Sequence, residues 1–227
     1  MLIEITDVTH RYGDRMVLDS VSVSFDQPRV GVIGANGSGK STLVRLLNAL
    51  VLPSRGQVLV GGLDTRRAAR AVRRRVGFCF TDPDAQIVMP TVAEDVAFGL
   101  RPRRLAKTEV AAKVAAVLSA YGLAEHADHP AHLLSGGQKQ LLALAAVLVT
   151  EPELVVLDEP TTLLDLRNAR RIAELIAGLA QQVVLVTHQL DQVRDFDRVL
   201  VVDEGRLVAD GEPAETVRHY AGLMARR

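Results

Sequence analysis

The chain has 227 residues, and its 27 lysines and arginines balance 27 aspartates and glutamates, so its formal net charge is zero. That length suits one domain, or one domain with a subdomain, and buries a sizeable core. With the charges balanced, nothing global favours nucleic acid or an acidic partner, and the single cysteine, Cys79, excludes an intrachain disulfide and fits a reducing compartment.

The start of the chain, Met1-Leu2-Ile3-Glu4, lacks the charged and apolar regions of a signal peptide. The longest apolar run, residues 141–149, is nine residues, whereas a bilayer span needs about 20. The expectation is a cytoplasmic chain that spans no membrane. If it works at a membrane, other chains do the spanning.

Residues 2–8 are β-branched and alternate, which predicts a strand. His10-Arg11-Tyr12-Gly13 reads as a turn with one aromatic. Val21, Val23 and Phe25 alternate with polar residues, as in a strand of an antiparallel layer. Next come an apolar segment, Val30-Gly31-Val32-Ile33, a glycine loop, and a helix-like pattern of Leu43, Leu46, Leu47 and Leu50.

The loop is Gly34-Ala35-Asn36-Gly37-Ser38-Gly39-Lys40-Ser41-Thr42, which fits G-x-x-x-x-G-K-[ST] in the strand–loop–helix context that the motif requires. Gly34, Gly37 and Gly39 are expected at positive φ, turning successive backbone N–H groups inward. Those groups and the helix N-terminus form a concave anion site. Lys40 is placed to reach the β- and γ-phosphates, and the Ser41 hydroxyl to coordinate Mg²⁺.

Residues 58–60 and Gly61-Gly62 read as a strand and turn. Residues 66–75 carry six arginines, mostly at helical spacing, and predict a solvated basic helix face. Cys79 lies in an apolar run and reads as a buried strand thiol. Arg101, Arg103, Arg104 and Lys107 make a second short basic cluster. Residues 82–104 look irregular, and residues 108–121 predict an alanine-rich helix. His126, His129 and His132 recur every third residue, but Pro130 interrupts any helix that would align them for a metal. They read as a loop.

Leu134-Ser135-Gly136-Gly137-Gln138 is a second glycine-rich loop, ahead of an apolar helix. Residues 154–157 are the continuous apolar run of a buried parallel strand. That strand ends in Asp158-Glu159-Pro160, so its carboxylates fall at the sheet edge where ligands of α/β proteins bind. Asp158 is the candidate second Mg²⁺ holder, acting through water. Glu159 is the candidate for orienting the attacking water. His188 ends the next apolar strand at the same edge and is a candidate γ-phosphate sensor. Residues 168–180 predict a helix, residues 199–208 a hairpin turning at Glu204-Gly205, and residues 213–224 a short helix.

A second anion-reading loop is redundant for one nucleotide in one chain, and so suggests that two copies meet and complete each other's sites. With the phosphate loop, residues 134–138, residues 154–159, Thr162-Leu163-Leu164-Asp165 and His188 in this order, the chain resembles the ATP-binding cassette (ABC) transporter ATPases over nearly its whole length. The resemblance implies an α/β phosphate-loop fold: a parallel core sheet flanked by helices, an antiparallel β layer and a helical subdomain. The implied core spans about residues 1–80 and 150–227, and the helical subdomain about 81–149. It also implies a head-to-tail homodimer or pseudo-dimer holding two ATPs, with Tyr12 stacking on adenine and Asp165 at the dimer contact. Catalysis falls to Glu159, His188 and Lys40, with Mg²⁺ on Ser41 and Asp158.

Asp82-Pro83-Asp84-Ala85-Gln86 and residues 90–99 further resemble the energy-coupling factor (ECF) ATPases. These drive vitamin, nickel or cobalt uptake with a transmembrane coupling subunit and a small substrate-binding membrane protein. The short stretch beyond the core is most similar to the biotin-uptake ATPase, so biotin is the favoured cargo. The chain is then expected peripherally, at the cytoplasmic face of the cell membrane, with no nucleic-acid partner. The alternative is an ABC ATPase of nucleic-acid repair or translation. Two positions depart from the family pattern: Thr81 stands where a Gln is usual, and Leu141 where an Arg follows the signature. Thr81 reaches Mg²⁺ only through water, and Gln86 is expected at the interface with the coupling subunit.

Overall fold

A computed structural model describes residues 1–225. The chain forms two compact units. The first contains residues 1–76, 153–159 and 179–225; the second contains residues 77–152 and 160–178.

The first unit has two sheets. In chain order its elements are β1 (Ile3–Tyr12), β2 (Arg15–Phe25), β3 (Arg29–Ile33), α1 (Lys40–Arg45), β4 (Arg55–Val60), β5 (Leu63–Asp64) and α2 (Ala69–Arg75). Strand β6 (Val76–Cys79) carries the chain into the second unit. Strands β7 (Leu154–Asp158), β8 (Gln182–Val186), β9 (Arg198–Asp203) and β10 (Arg206–Gly211) follow, and helix α7 (Pro213–Met224) packs on β9 and β10.

The antiparallel layer runs β2-β1-β4-β5, and the core sheet runs β10-β9-β3-β8-β7. Strand β3 is parallel to β8 and β9, and β7 is parallel to β8. Each of these core strands is apolar at nearly every position because both faces are covered, and β7 and β8 are buried throughout. The β7–β8 register pairs Asp158 with Val186, so the two strands end level with each other. That brings residues 158–159 and residues 187–188 to one edge.

Three local expectations change. The first hairpin extends further than read: His10, Arg11 and Tyr12 belong to β1, and Tyr12 pairs with Arg15 around Gly13-Asp14. The helix after the phosphate loop is short. It ends at Arg45, and i→i+3 bonds such as Leu46 N–H to Leu43 O and Leu47 N–H to Val44 O continue the chain. The tighter turn takes Leu50 out of the apolar stripe, and it is 46% exposed. Finally, the arginines of 66–75 form no continuous helix face, because α2 starts only at Ala69. Arg66 donates to Pro53 O, Arg73 to Ala49 O, and Arg75 pairs with Glu153.

The second unit contains α3 (Val92–Phe98), α4 (Lys107–Ala120), α5 (Gly136–Leu148) and α6 (Leu166–Ala177). Helix α5 is its centre, in contact with α3, α4 and α6. Its Leu142, Leu144 and Ala145 are fully buried. At about 1.5–3 kcal/mol for each large apolar side chain removed from water, this helix is the main source of cohesion in the unit. Leu141 is buried with them, so that position packs the core rather than forming a salt link. Cys79 is buried and accepts a 3.5 Å contact from Gln140 Nε2.

Helix α3 lies in the stretch read as irregular. Its signal was the Thr91-x-x-Glu94 capping box: Glu94 N–H donates to Thr91 Oγ1, and the Thr91 N–H and hydroxyl donate to the Glu94 carboxylate. The amide of Gln86 is used internally. Its Oε1 accepts from Phe80 N–H, and its Nε2 donates to Ala143 O within α5.

Candidate functional site

In the first unit the loop after β3 has Gly34, Gly37 and Gly39 at φ 152°, 78° and 107°. Only glycine takes these angles without strain. Gly34 has a second constraint, since a Cβ there would sit 2.0 Å from Val202 O. The loop is anchored from behind by Gly205 N–H, which donates to Ser38 O. The Ser38 hydroxyl is buried and has no protein partner, so the loop holds an unused donor. Ala35 is half-buried, Asn36 and Gly37 are exposed, and Thr42 is buried.

Lys40 is 4% exposed, and its Nζ donates to Gly34 O and Ala35 O, each at 2.9 Å. Nζ also lies 3.9 Å from Glu159 Oε1. Burial lowers the Lys40 pKa, while the Glu159 and Asp158 carboxylates push it back up. The ammonium is thus held ready on two weak carbonyl acceptors, which an incoming phosphate can outcompete.

Asp158, at the end of β7, is fully buried. It accepts from Ser41 Oγ at 2.8 Å, and Arg45 Nη2 stands 3.3 Å away. Burial raises its pKa, and Ser41 and Arg45 oppose the rise. Sequence reasoning missed Arg45. The available signal was its position four residues after Ser41, which puts both on one face of α1.

Glu159 is the strained residue of the site, with φ +52°. Its N–H donates to Val186 O, which fixes the backbone at the sheet edge. Its side chain joins Lys40 on one side and His188 on the other, with His188 Nδ1 3.2 Å from Oε2. A non-glycine residue in this conformation costs on the order of 1–3 kcal/mol and persists only where the surroundings enforce it. The structure therefore gathers Lys40, Ser41, Asp158, Glu159 and His188. Tyr12 is in the same unit, half exposed at the end of β1, with its ring edge-on to His10 at 4.6 Å.

Thr81, Ser135, Gly136, Gly137, Gln138 and Asp165 belong to the second unit. Thr81 is half-buried in the bend after β6. Ser135 caps α5 in a capping box: Gln138 N–H lies 3.4 Å from Ser135 Oγ, and Ser135 N–H donates to Gln138 Oε1 at 2.9 Å. The two glycines differ. A Cβ on Gly137 would meet Asn168 Cγ at 2.5 Å, whereas a Cβ on Gly136 would meet nothing within 4 Å. Asp165 caps α6 by accepting from Asn168 N–H at 2.9 Å, and it also accepts from Asn168 Nδ2 at 2.7 Å.

A phosphate loop at the end of a parallel strand, with a buried Asp and an adjacent Glu at the same edge of the sheet, two strands away, defines a nucleotide triphosphatase. The ABC transporter family profile matches residues 18–162, more than half the chain. A protein of Deinococcus radiodurans, named as an ABC transporter ATP-binding protein without a stated substrate, is 57% identical over 98% of this chain and 99% of its own length. The biotin transport ATP-binding protein of Rhizobium etli is 44% identical, over 94% of this chain and 95% of its own. Among solved structures, cbiO1 of Clostridium perfringens, part of the ABC transporter complex cbiONQ, superposes with a TM-score of 0.83. It is 32% identical and covers 99% of this chain and 93% of that one. The chain belongs to the ABC transporter family. It is an ATP-binding, ATP-hydrolysing subunit of the phosphate-loop fold.

Proposed function

We propose that this chain energises a membrane importer of the ECF type, with biotin as the favoured cargo, and that it works as a homodimer or as a pseudo-dimer with another ABC ATPase. The observation that carries the catalytic part is the convergence of Lys40, Ser41, Asp158 and Glu159 within one unit. The likeness to the Rhizobium etli protein supports the cargo, and the likeness to cbiO1 supports a membrane complex. We assign residues 77–152 and 160–178 to the helical subdomain, and the other unit to the nucleotide-binding core.

In this reading residues 34–42 cradle the triphosphate and Tyr12 stacks on adenine. Lys40 leaves the Gly34 and Ala35 carbonyls for the β- and γ-phosphates. The oxygen donors of Ser41 and Asp158, 2.8 Å apart, fit a hard cation that completes its shell with phosphate and water. Mg²⁺ held there by Ser41 and Asp158 would supply positive charge to offset that of the phosphates. Glu159 orients water at the γ-phosphate, and His188 holds the Glu159 carboxylate while sensing that phosphate. Ser135, Gly136, Gly137 and Gln138 of the other copy close over the phosphate, with Asp165 at the contact. Gly136, whose α-face is open, is the glycine that admits it.

Among the described residues, no helix is long and apolar enough to cross a membrane. We place the chain peripherally on the cytoplasmic face, on a transmembrane coupling subunit that pairs with a small substrate-binding membrane protein. Several arginines of 66–75 are committed to Pro53, Ala49 and Glu153, which leaves less free basic surface for the alternative of a nucleic-acid partner.

The test is co-purification from solubilised membranes, with identification of the small molecule carried by the complex. Recovery of hydrophobic membrane subunits holding biotin supports the proposal. Turnover stimulated by DNA or ribosomes, with no membrane subunit recovered, overturns it.

A further inference from the structure

The three histidines that the sequence spaces at 126, 129 and 132 have no part in the reading above. Yet one of them touches the signature loop. Gln138 Oε1 is occupied by the Ser135 N–H, so the Gln138 amide can face its other neighbour only as a donor. That neighbour is His126 Nε2, 2.9 Å from Gln138 Nε2. His126 Nε2 must therefore be the unprotonated nitrogen, and the ring proton sits on Nδ1. His126 Nδ1 lies 2.8 Å from His129 Nδ1, which must then be the acceptor. The donors run one way, from the cap of α5 out to His129: Ser135 N–H donates to Gln138 Oε1, Gln138 Nε2 to His126 Nε2, and His126 Nδ1 to His129 Nδ1. A reversed Gln138 amide would set its NH₂ against the Ser135 N–H, so the direction is unique.

We infer that His126 is a positioning residue for the signature loop, acting through Gln138. It fixes the orientation in which Ser135 and Gly136 are presented to the nucleotide of a second copy. This rests on the proposed dimer reading and adds a residue to it. His126 touches neither nucleotide nor reacting atoms. Its removal is expected to leave ATP binding by residues 34–42 intact and to weaken only the step in which the signature loop closes on ATP.

The experiment uses the full chain carrying Glu159→Gln, so that closed dimers accumulate. A fluorescent ATP analogue measures nucleotide affinity, and light scattering at saturating ATP measures dimerisation. His126→Leu removes the acceptor. His126→Gln restores an acceptor near the Nε2 position, while His126→Asn reaches only the Nδ1 position and so faces His129. Loss of one hydrogen bond predicts about five- to tenfold weaker dimerisation for His126→Leu and His126→Asn. His126→Gln is expected near the parent, and nucleotide affinity is expected unchanged in all three. Equal dimerisation by His126→Leu and the parent overturns the inference, as does an equal loss in all three variants. Failure of the Glu159→Gln parent itself to dimerise with ATP is a different result, and it overturns the dimer reading together with the inference built on it.

Discussion

His188 and Glu159 meet side chain to side chain across the ends of two adjacent parallel strands, with Nδ1 and Oε2 3.2 Å apart. The β7–β8 register sets this contact, because Asp158 pairs with Val186 and the next residues of each strand leave the sheet together. Glu159 also faces Lys40 at 3.9 Å. A carboxylate held between an imidazole and an ammonium is fixed in its aim, as a group that orients water requires. Glu159→Gln keeps the shape and the 34–42 loop but loses the charge. It is expected to bind ATP like the parent, to trap the dimer, and to turn over about 10²–10⁴-fold more slowly. Phosphate-release kinetics beside nucleotide affinity check this, and equal turnover removes Glu159 from the water-positioning role.

Arg45 supplies the counter-charge that a fully buried Asp158 needs. Breaking one side of a buried pair leaves an uncompensated carboxylate. Because Arg45 is itself partly exposed, solvent screens the pair and the expected loss for Arg45→Leu is modest, about 1 kcal/mol. Thermal unfolding should register that loss, and it should shrink when Asp158→Asn is added, since the neutral amide no longer needs the arginine. Additive effects of the two substitutions would mean that they are energetically independent.

The two signature glycines should separate by experiment. Gly137→Ala drives a methyl into Asn168, whose side chain is pinned to Asp165, so a loss of about 1–3 kcal/mol of stability is expected from overpacking. Gly136→Ala meets open space and should fold with an unchanged Tm, while turnover falls because the methyl occupies the approach to a second copy's phosphate. Differential scanning calorimetry and phosphate release together decide this. A normal turnover for Gly136→Ala would mean that nothing closes on that face.

The fold was legible where one residue type had one physical use. The apolar run ending at Asp158 had to be a buried parallel strand, and the glycine loop before Lys40 had to be an anion cradle. Other features were hidden because they depend on partners distant in sequence. Nothing local says that Arg45 will answer Asp158, 113 residues away, or that Glu159 will be held at positive φ by a bond to Val186. The three-residue histidine spacing suggested only a loop, since the meaning of His126 depends on which amide group Gln138 turns toward it. Helix α3 was hidden for a different reason. Proline and glycine around residues 82–104 outweighed the capping box at Thr91, although that box is a local signal.

The pairing of Arg75 with Glu153 ties the end of α2 to the residue just before β7, and it should leave a mark on acid stability. Arg75 Nε and Nη2 donate to the two carboxylate oxygens of Glu153, each at 2.7 Å. The arginine holds the Glu153 pKa below its ordinary value of 4.5. A carboxylate whose folded pKa is depressed releases its proton more readily in the folded state. Its stabilisation is therefore fully present above the unfolded value and disappears as pH falls through the folded one. Both side chains are substantially exposed, so screening limits the contribution to about 0.5 kcal/mol, or roughly 1–2 °C in Tm for a chain of this size. Glu153→Gln should unfold at a lower temperature than the parent at pH 7. The gap should narrow as the pH drops below 4.5 and close once the parent carboxylate is protonated. Thermal melts across that range make the measurement, and a gap that stays constant with pH would show that the charge of Glu153 contributes nothing.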